Sequence, residues 1–186
     1  MSGLSSNAAR NAFERIGIAE GGYTNDPNDR GNWTSGKVGV GELKGTKYGV
    51  SAMAYPFLNI ETLTKESAFY YFKQDYWDRV DADKFHPAIA FQLADACYNH
   101  GIGNAVRMLQ RAVGVADDGA IGPITLDAVN GRDADDVLHL FNAERLEFYT
   151  KISTFSRYGK GWVRRVAENM KWAADDNDAP WGGYEA

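Results

Sequence analysis

The sequence predicts a mainly helical α+β fold in which helices surround one glycine-rich loop. Three observations carry that expectation. Apolar residues recur at three- and four-residue spacing near the N-terminus and again from about residue 64 onward. Residues 21–50 instead show no helical period and contain eight glycines together with Asn25, Asp26, Pro27, Asn28 and Asp29. The 186 residues are 44% hydrophobic and 13% aromatic, enough apolar material for a core and too much for a disordered chain.

Ser5 or Ser6 can cap a first helix, whose inner face is marked by Ala9, Phe13 and Ile16. Its pattern runs to residues 18–20 and is expected to stop at Gly21-Gly22. The loop that follows reads as turns with a short β-hairpin, and any sheet should lie within about residues 22–50. A long irregular stretch inside a compact domain is usually functional. Thr64 can cap a helix to about Trp77, with Ala68, Phe72 and Tyr76 on one face. His86-Pro87 starts another, with Ile89, Leu93 and Cys97 inward and Gly101 at its end. A short helix from Ala105 closes at Gly114, Asp118-Gly119 makes a turn, and Gly122-Pro123 opens a helix to about Asn130. Asp133 caps a longer helix through Phe148, and a last one is expected from about Gly161 to Ala174, followed by a polar, loose tail. Residues 8–90 and 91–175 are expected to form a catalytic and a binding region, packed as one compact unit.

Net charge narrows the function. With 20 Lys and Arg against 25 Asp and Glu the chain carries −5, the wrong sign for a general nucleic-acid binder. The single cysteine, Cys97, cannot form an intrachain disulfide, and its place on an apolar stripe marks it as a core residue rather than a nucleophile. The N-terminus reads as an amphipathic helix and not as a secretory signal, and no stretch reaches the roughly 18 apolar residues of a membrane span. Expected, then, is a chain that is made and folded in a cytoplasm and does not insert stably in membranes. His86, His100 and His139 are scattered without zinc spacing, and no glycine pattern ends in Gly-Lys-Ser/Thr, so no metal and no nucleotide cofactor is expected.

Carboxylates remain. Glu20 stands where the first helix gives way to the glycine loop, and Asp29 follows nine residues later across a turn-rich segment. A returning loop can bring two carboxyl groups to opposite sides of a cleft, as glycoside hydrolysis requires: one protonates the leaving oxygen, the other attacks the sugar or activates water. Ile16, Ile18 and Tyr23 could give Glu20 the apolar surroundings that keep an acid protonated. On spacing alone, Glu20 also reads as a solvated helix-end residue and Asp29 as an Asx-turn residue.

Glu20-Gly21-Gly22-Tyr23, then Asn25-Asp26-Pro27 and Asp29, then Thr46-Lys47-Tyr48-Gly49-Val50, resembles the catalytic segment of glycoside hydrolase family 108, lysozyme-like N-acetylmuramidases that include phage endolysins. The resemblance implies a lysozyme-like fold, with Glu20 as the catalytic acid. Glu20 and Asp29 also keep the Glu-to-Asp spacing of phage-type lysozymes. The hydroxyl expected five residues later falls at Ser35, beside Thr34, whereas the threonine of the family's Thr-x-x-Gly motif lies at Thr46, beyond an insertion of about a dozen residues. Thr46 ranks first and Thr34 second as the hydroxyl that holds water. Asn99-His100-Gly101, Leu109-Gln110, Asp118 to Pro123 and Gly161 to Arg165 resemble the peptidoglycan-binding region that accompanies this family.

The implied activity is hydrolysis of the β-1,4 bond between N-acetylmuramic acid and N-acetylglucosamine, leading to cell lysis, with the peptidoglycan glycan strand as partner. The resemblance to phage endolysins also implies a monomer that stays in the cytoplasm of a host bacterium until it is released to the wall. A lytic transglycosylase or a non-catalytic wall-binding protein are the alternatives. Tyr23, Trp33 and Tyr48, on the loop, are candidates for stacking on sugar faces. Asn99 either binds an N-acetyl group or caps its own helix, and Trp162 is core or sugar platform. Arg157, Lys160, Arg164, Arg165 and Lys171 form either a solvated helix face or an attractor for anionic wall polymer.

Overall fold

The structure is a computed structural model that describes residues 2–17 and 21–177. Among these lie seven α-helices and one two-stranded antiparallel sheet, the mainly helical, lysozyme-like architecture expected from the sequence. The chain divides into two compact units, one of residues 9–75 and one of residues 76 onward joined by the first eight residues. The division falls between Asp75 and Tyr76, inside a short helical turn of Lys73–Trp77, and the expected boundary at 90/91 lies within the helix Pro87–His100.

In the first unit, α1 (Ser2–Arg15) contributes Ala9, Ala12 and Phe13 to a core completed by α2 (Lys65–Phe72). Phe13 meets Phe69 and Phe72 at ring-centroid distances of 5.7 and 5.6 Å. Thr64 caps α2 as expected, its side chain accepting from Ser67 N–H. The helix then widens into a π-turn over Lys73–Trp77.

The first helix departs from expectation at both ends. It begins at Ser2, ahead of the expected Ser5 or Ser6 cap, and it stops at Arg15 rather than near residue 20. The terminator is Gly17, at φ +77°, whose N–H donates to the Glu14 carbonyl at 3.0 Å. Residues 18–20, where the periodic pattern was expected to end, lie outside the described residues.

The sheet pairs β1 (Thr46–Lys47) with β2 (Val50–Ser51), in register Lys47 with Val50. Tyr48 and Gly49 make the two-residue loop, both at positive φ (49° and 75°), as the right-handed twist of a tight hairpin demands. Isolated bridges join Thr24 to Thr46 and Trp33 to Leu43, so among the described residues all strand pairing falls in or next to the glycine-rich loop.

The second unit is a helical assembly. α3 (Pro87–His100) packs on α4 (Ile102–Val113), α6 (Ala134–Thr150) and α7 (Phe155–Asn177), while α5 (Pro123–Asn130) packs on α4 and α6. His86 and Asp133 cap α3 and α6 with their side chains, and Pro87 and Pro123 occupy first turns. α7 starts at Phe155, ahead of the expected Gly161, and takes in Asp175–Asn177 of the expected loose tail; residues 178–186 lie outside the described residues. Gly159 is interior to it for a packing reason: a Cβ there would sit 2.7 Å from the Phe155 ring.

Candidate active site

The loop between α1 and α2 is built on backbone bonds to β1. Thr24 and Thr46 exchange N–H to carbonyl bonds of 2.9 and 2.8 Å, and Tyr48 N–H donates to the Gly21 carbonyl at 2.8 Å. The residue after Glu20 is therefore held against the hairpin that carries Thr46. Gly45 permits this closeness: at φ +84°, a Cβ there would lie 2.4 Å from the Thr24 carbonyl oxygen and 2.6 Å from the Tyr23 ring. Glu20 itself lies outside the described residues.

Asp29 is exposed and caps a single 3-10 turn, Arg30–Asn32. Its Oδ1 accepts from Gly31 N–H at 2.8 Å, and the turn before it is closed by Asn28 N–H donating to Asp26 Oδ1 at 2.9 Å. The Asx-turn geometry is thus present, and it leaves Asp29 on a solvent-facing corner of the loop, where a carboxylate can reach water.

The hydroxyls differ in what they do. Thr46, half-buried, donates to Asn32 Oδ1 at 2.7 Å. Thr34 Oγ1 accepts from Glu42 N–H at 2.9 Å, and Ser35 Oγ donates to the Val40 carbonyl at 2.7 Å. Thr34 and Ser35 therefore close the inserted loop on itself. Among the aromatics, Trp33 is half-buried with Nε1–H donating to the Pro27 carbonyl at 2.9 Å. Tyr23 is exposed, and Tyr48 is half-buried at the hairpin tip with Lys47 Nζ 5.4 Å from its ring centroid.

Tyr23, Asp29, Trp33, Thr34, Thr46 and Tyr48 all belong to the first unit; Asn99 belongs to the second. It is exposed near the end of α3, and its Nδ2 donates to the Asp95 carbonyl at 2.7 Å, within its own helix. Cys97 is buried, and burial pushes its thiol up to about 12, which keeps it protonated and unreactive. Among the described residues no cluster of His, Cys, Asp or Glu is arranged to hold a metal ion.

The model of the glycosyl hydrolase 108 family matches residues 13–101. The chain carries a glycosyl hydrolase 108 domain. A second match, to a predicted peptidoglycan domain, covers residues 104–167. The solved structure of SagA from Brucella abortus aligns with a TM-score of 0.74 at 29% identity, covering 96% of this chain and 98% of that one. No match is found among curated proteins. The glycosyl hydrolase 108 chain is a glycoside hydrolase that acts on peptidoglycan, and peptidoglycan is its binding partner.

In the peptidoglycan domain, polar groups of the partly exposed Asp118–Pro123 motif are bonded to Gln110 beneath it. Buried Gln110 donates through Nε2 to Asp118 Oδ1 (2.7 Å) and to the Ala120 carbonyl (3.0 Å), and accepts from Gly119 N–H (2.8 Å). Backbone N–H of Ala120 and then the Gln110 amide hold the Asp118 carboxyl below its ordinary range. Those groups serve the turn.

Two features escaped sequence reasoning. Asn32, in an exposed polar loop, is fully buried. Asp95, on α3, is also fully buried and accepts from Arg145, Arg165 and Asn169, joining α3 to α6 and α7. Arg165, grouped by sequence with the surface cations, is thus half-buried and paired. Trp162 is half-buried and stacks on Tyr149 with ring centroids 5.2 Å apart, a packing contact.

Proposed function

We propose that the chain is an endolysin-type N-acetylmuramidase, which cuts the β-1,4 bond between N-acetylmuramic acid and N-acetylglucosamine and so lyses bacterial cells. In this reading Glu20 is the general acid, Asp29 is the carboxylate that draws the proton from an attacking water, and the Thr46 hydroxyl holds that water. Tyr23, Trp33 and Tyr48 offer faces to the sugar rings. The enzyme waits in the host cytoplasm and reaches the wall on release.

The observation that carries the reading is the bonding of the loop to β1. Tyr48 N–H on the Gly21 carbonyl and the paired Thr24–Thr46 bonds tie the segment leaving Glu20 to the strand bearing Thr46, and the capped turn presents Asp29 from the same loop. Two carboxyl groups and a water-binding hydroxyl on one stretch of chain are the parts that an inverting hydrolysis needs.

The test is Glu20→Gln in the full chain. Gln has nearly the shape of Glu but no proton to give, and general acid catalysis is worth about 10²–10⁴-fold in rate. Clearing of permeabilised cells should fall by that factor while circular dichroism is unchanged. A folded Glu20→Gln protein that clears cells at the native rate overturns the reading. Product ends from wild type decide the reaction: reducing ends mean hydrolysis, and anhydro ends would replace it with a transglycosylase.

A further inference from the structure

Resting on the roles of Asp29 and Thr46 just given, we propose that Asn32 is a positioning residue: it holds the Thr46 hydroxyl as an acceptor toward the attacking water. It also ties that hydroxyl to the turn that carries Asp29.

The polarity follows from one carbonyl. The Asp26 main-chain oxygen can only accept, so the Asn32 amide atom 3.0 Å from it is Nδ2. Oδ1 then faces the other way, where it meets Thr46 Oγ1 at 2.7 Å. An amide oxygen cannot donate, so the Thr46 hydroxyl must. A threonine hydroxyl has one proton, and here it is spent. Thr46 can offer the water only lone pairs.

A water seated there donates one hydrogen to Thr46 Oγ1 and the other to the Asp29 carboxylate, which leaves its own lone pair for the anomeric carbon. The new bond runs from the water oxygen to that carbon as the glycosidic bond breaks. The water proton goes to Asp29, and the Glu20 proton goes to the leaving oxygen. With the Thr46 proton loose, the hydroxyl could instead donate to the water and occupy the lone pair that must attack.

The main chain of Asn32 adds the spacing. Its N–H donates to the Asp29 carbonyl at 3.1 Å, and its carbonyl accepts from Lys44 and Gly45 N–H at 3.0 Å each. Every polar group of this fully buried residue is used, half toward the Asp29 turn and half toward the strand of Thr46. Thr34 and Ser35 have no such link; their hydroxyls bond the inserted loop's own backbone.

The experiment is a double-mutant cycle in the full chain, with Asn32→Ala, Thr46→Val and the pair, assayed on soluble uncross-linked glycan strands. Each single change should lower kcat about 10- to 100-fold with KM little altered, because water alignment and not sugar binding is lost. The pair should be no slower than the slower single variant, and Thr46→Ser should recover most of the rate. A merely structural Asn32 would give losses that multiply, or a rise in KM; either overturns the proposal. Should Asn32→Ala fail to fold, Asn32→Asp decides: buried against the Asp26 carbonyl its acid stays protonated, so one oxygen still accepts from Thr46 while the other donates to Asp26, and kcat should stay within about 5-fold of native. A deeper loss of kcat overturns the proposal. Glu20→Gln run alongside separates the two failures. If it is active, the muramidase reading falls; if it is inactive while the cycle multiplies, only the role of Asn32 falls.

Discussion

His100 closes α3 with its ring 3.0 Å (Nε2) from the Tyr149 hydroxyl and in edge contact with the Tyr149 ring. Burial, and after it the Arg145 cation, push its pKa down from 6.5 to about 4. The folded chain therefore leaves His100 neutral where the unfolded chain would protonate it. Stability is full above pH 6.5 and is lost progressively as pH falls from 6.5 to 4. A thermal melt series across that window should slope downward on the acid side, and His100→Gln should flatten the slope. An unchanged slope would move the acid sensitivity to another group. Asp95 titrates lower still: burial pushes its carboxyl up, but Arg145 and Arg165 more than offset that, so its contribution is lost only below about 3.8.

The helices show how much could be read in advance. Thr64, His86-Pro87 and Asp133 were legible as starts because a cap is a local bond, made by a side chain to N–H groups two or three residues on. The end of α1 was misplaced because Gly17 competes with Gly21-Gly22 and only the backbone angle tells which one terminates the helix. The Asp29 turn was legible for the same local reason as the caps. Asn32 and Asp95 were not, since nothing local separates a buried polar residue from a solvated one; their partners lie 14 and 50 to 74 residues away. The α3–α6–α7 seam depends on Asp95, which holds Arg145 and Arg165 by its two oxygens. Asp95→Asn keeps the shape and removes the charge, so two guanidinium groups face an uncompensated site. The expected cost is about 3–5 kcal/mol, read as a lower urea midpoint with an unchanged slope. A loss under about 1 kcal/mol would show that the arginines find other partners.

At the scale of the molecule, charge is unevenly placed. The protein is net acidic at −5, yet Arg157, Lys160, Arg164 and Lys171 lie exposed along α7 at spacings that share its solvent face. Lys171 is partnered by Glu168 at 3.1 Å. Peptidoglycan carries lactyl and peptide carboxylates, so the stripe suits a partner already given by the family. Arg157, Lys160 and Arg164 changed together to Gln should weaken retention on insoluble wall at low salt and leave it nearly unchanged near 1 M, where the Debye length is about 3 Å. Arg165 stays out of the set, because removing it would unpair Asp95. Equal retention at low salt would mark the stripe as an ordinary solvated face.

The placement of α3 bears on how such enzymes can be recombined. The glycosyl hydrolase match ends at residue 101, one residue past α3. Yet Ala88 through Cys97 form an unbroken buried run, and although α3 also touches the 3-10 turn Ala82–Lys84, the α-helices it packs against, α4, α6 and α7, all follow the end of the match. A gene cut there would shear the helix from its neighbours and turn Ile89, Phe91 and Leu93 toward water as an adhesive strip. The unit of inheritance and the unit of folding are different lengths of this chain, so a chimaera that swaps wall-recognition modules must carry α3 with the incoming helices, and a stand-alone hydrolase piece would have to be trimmed or resurfaced before it stayed in solution.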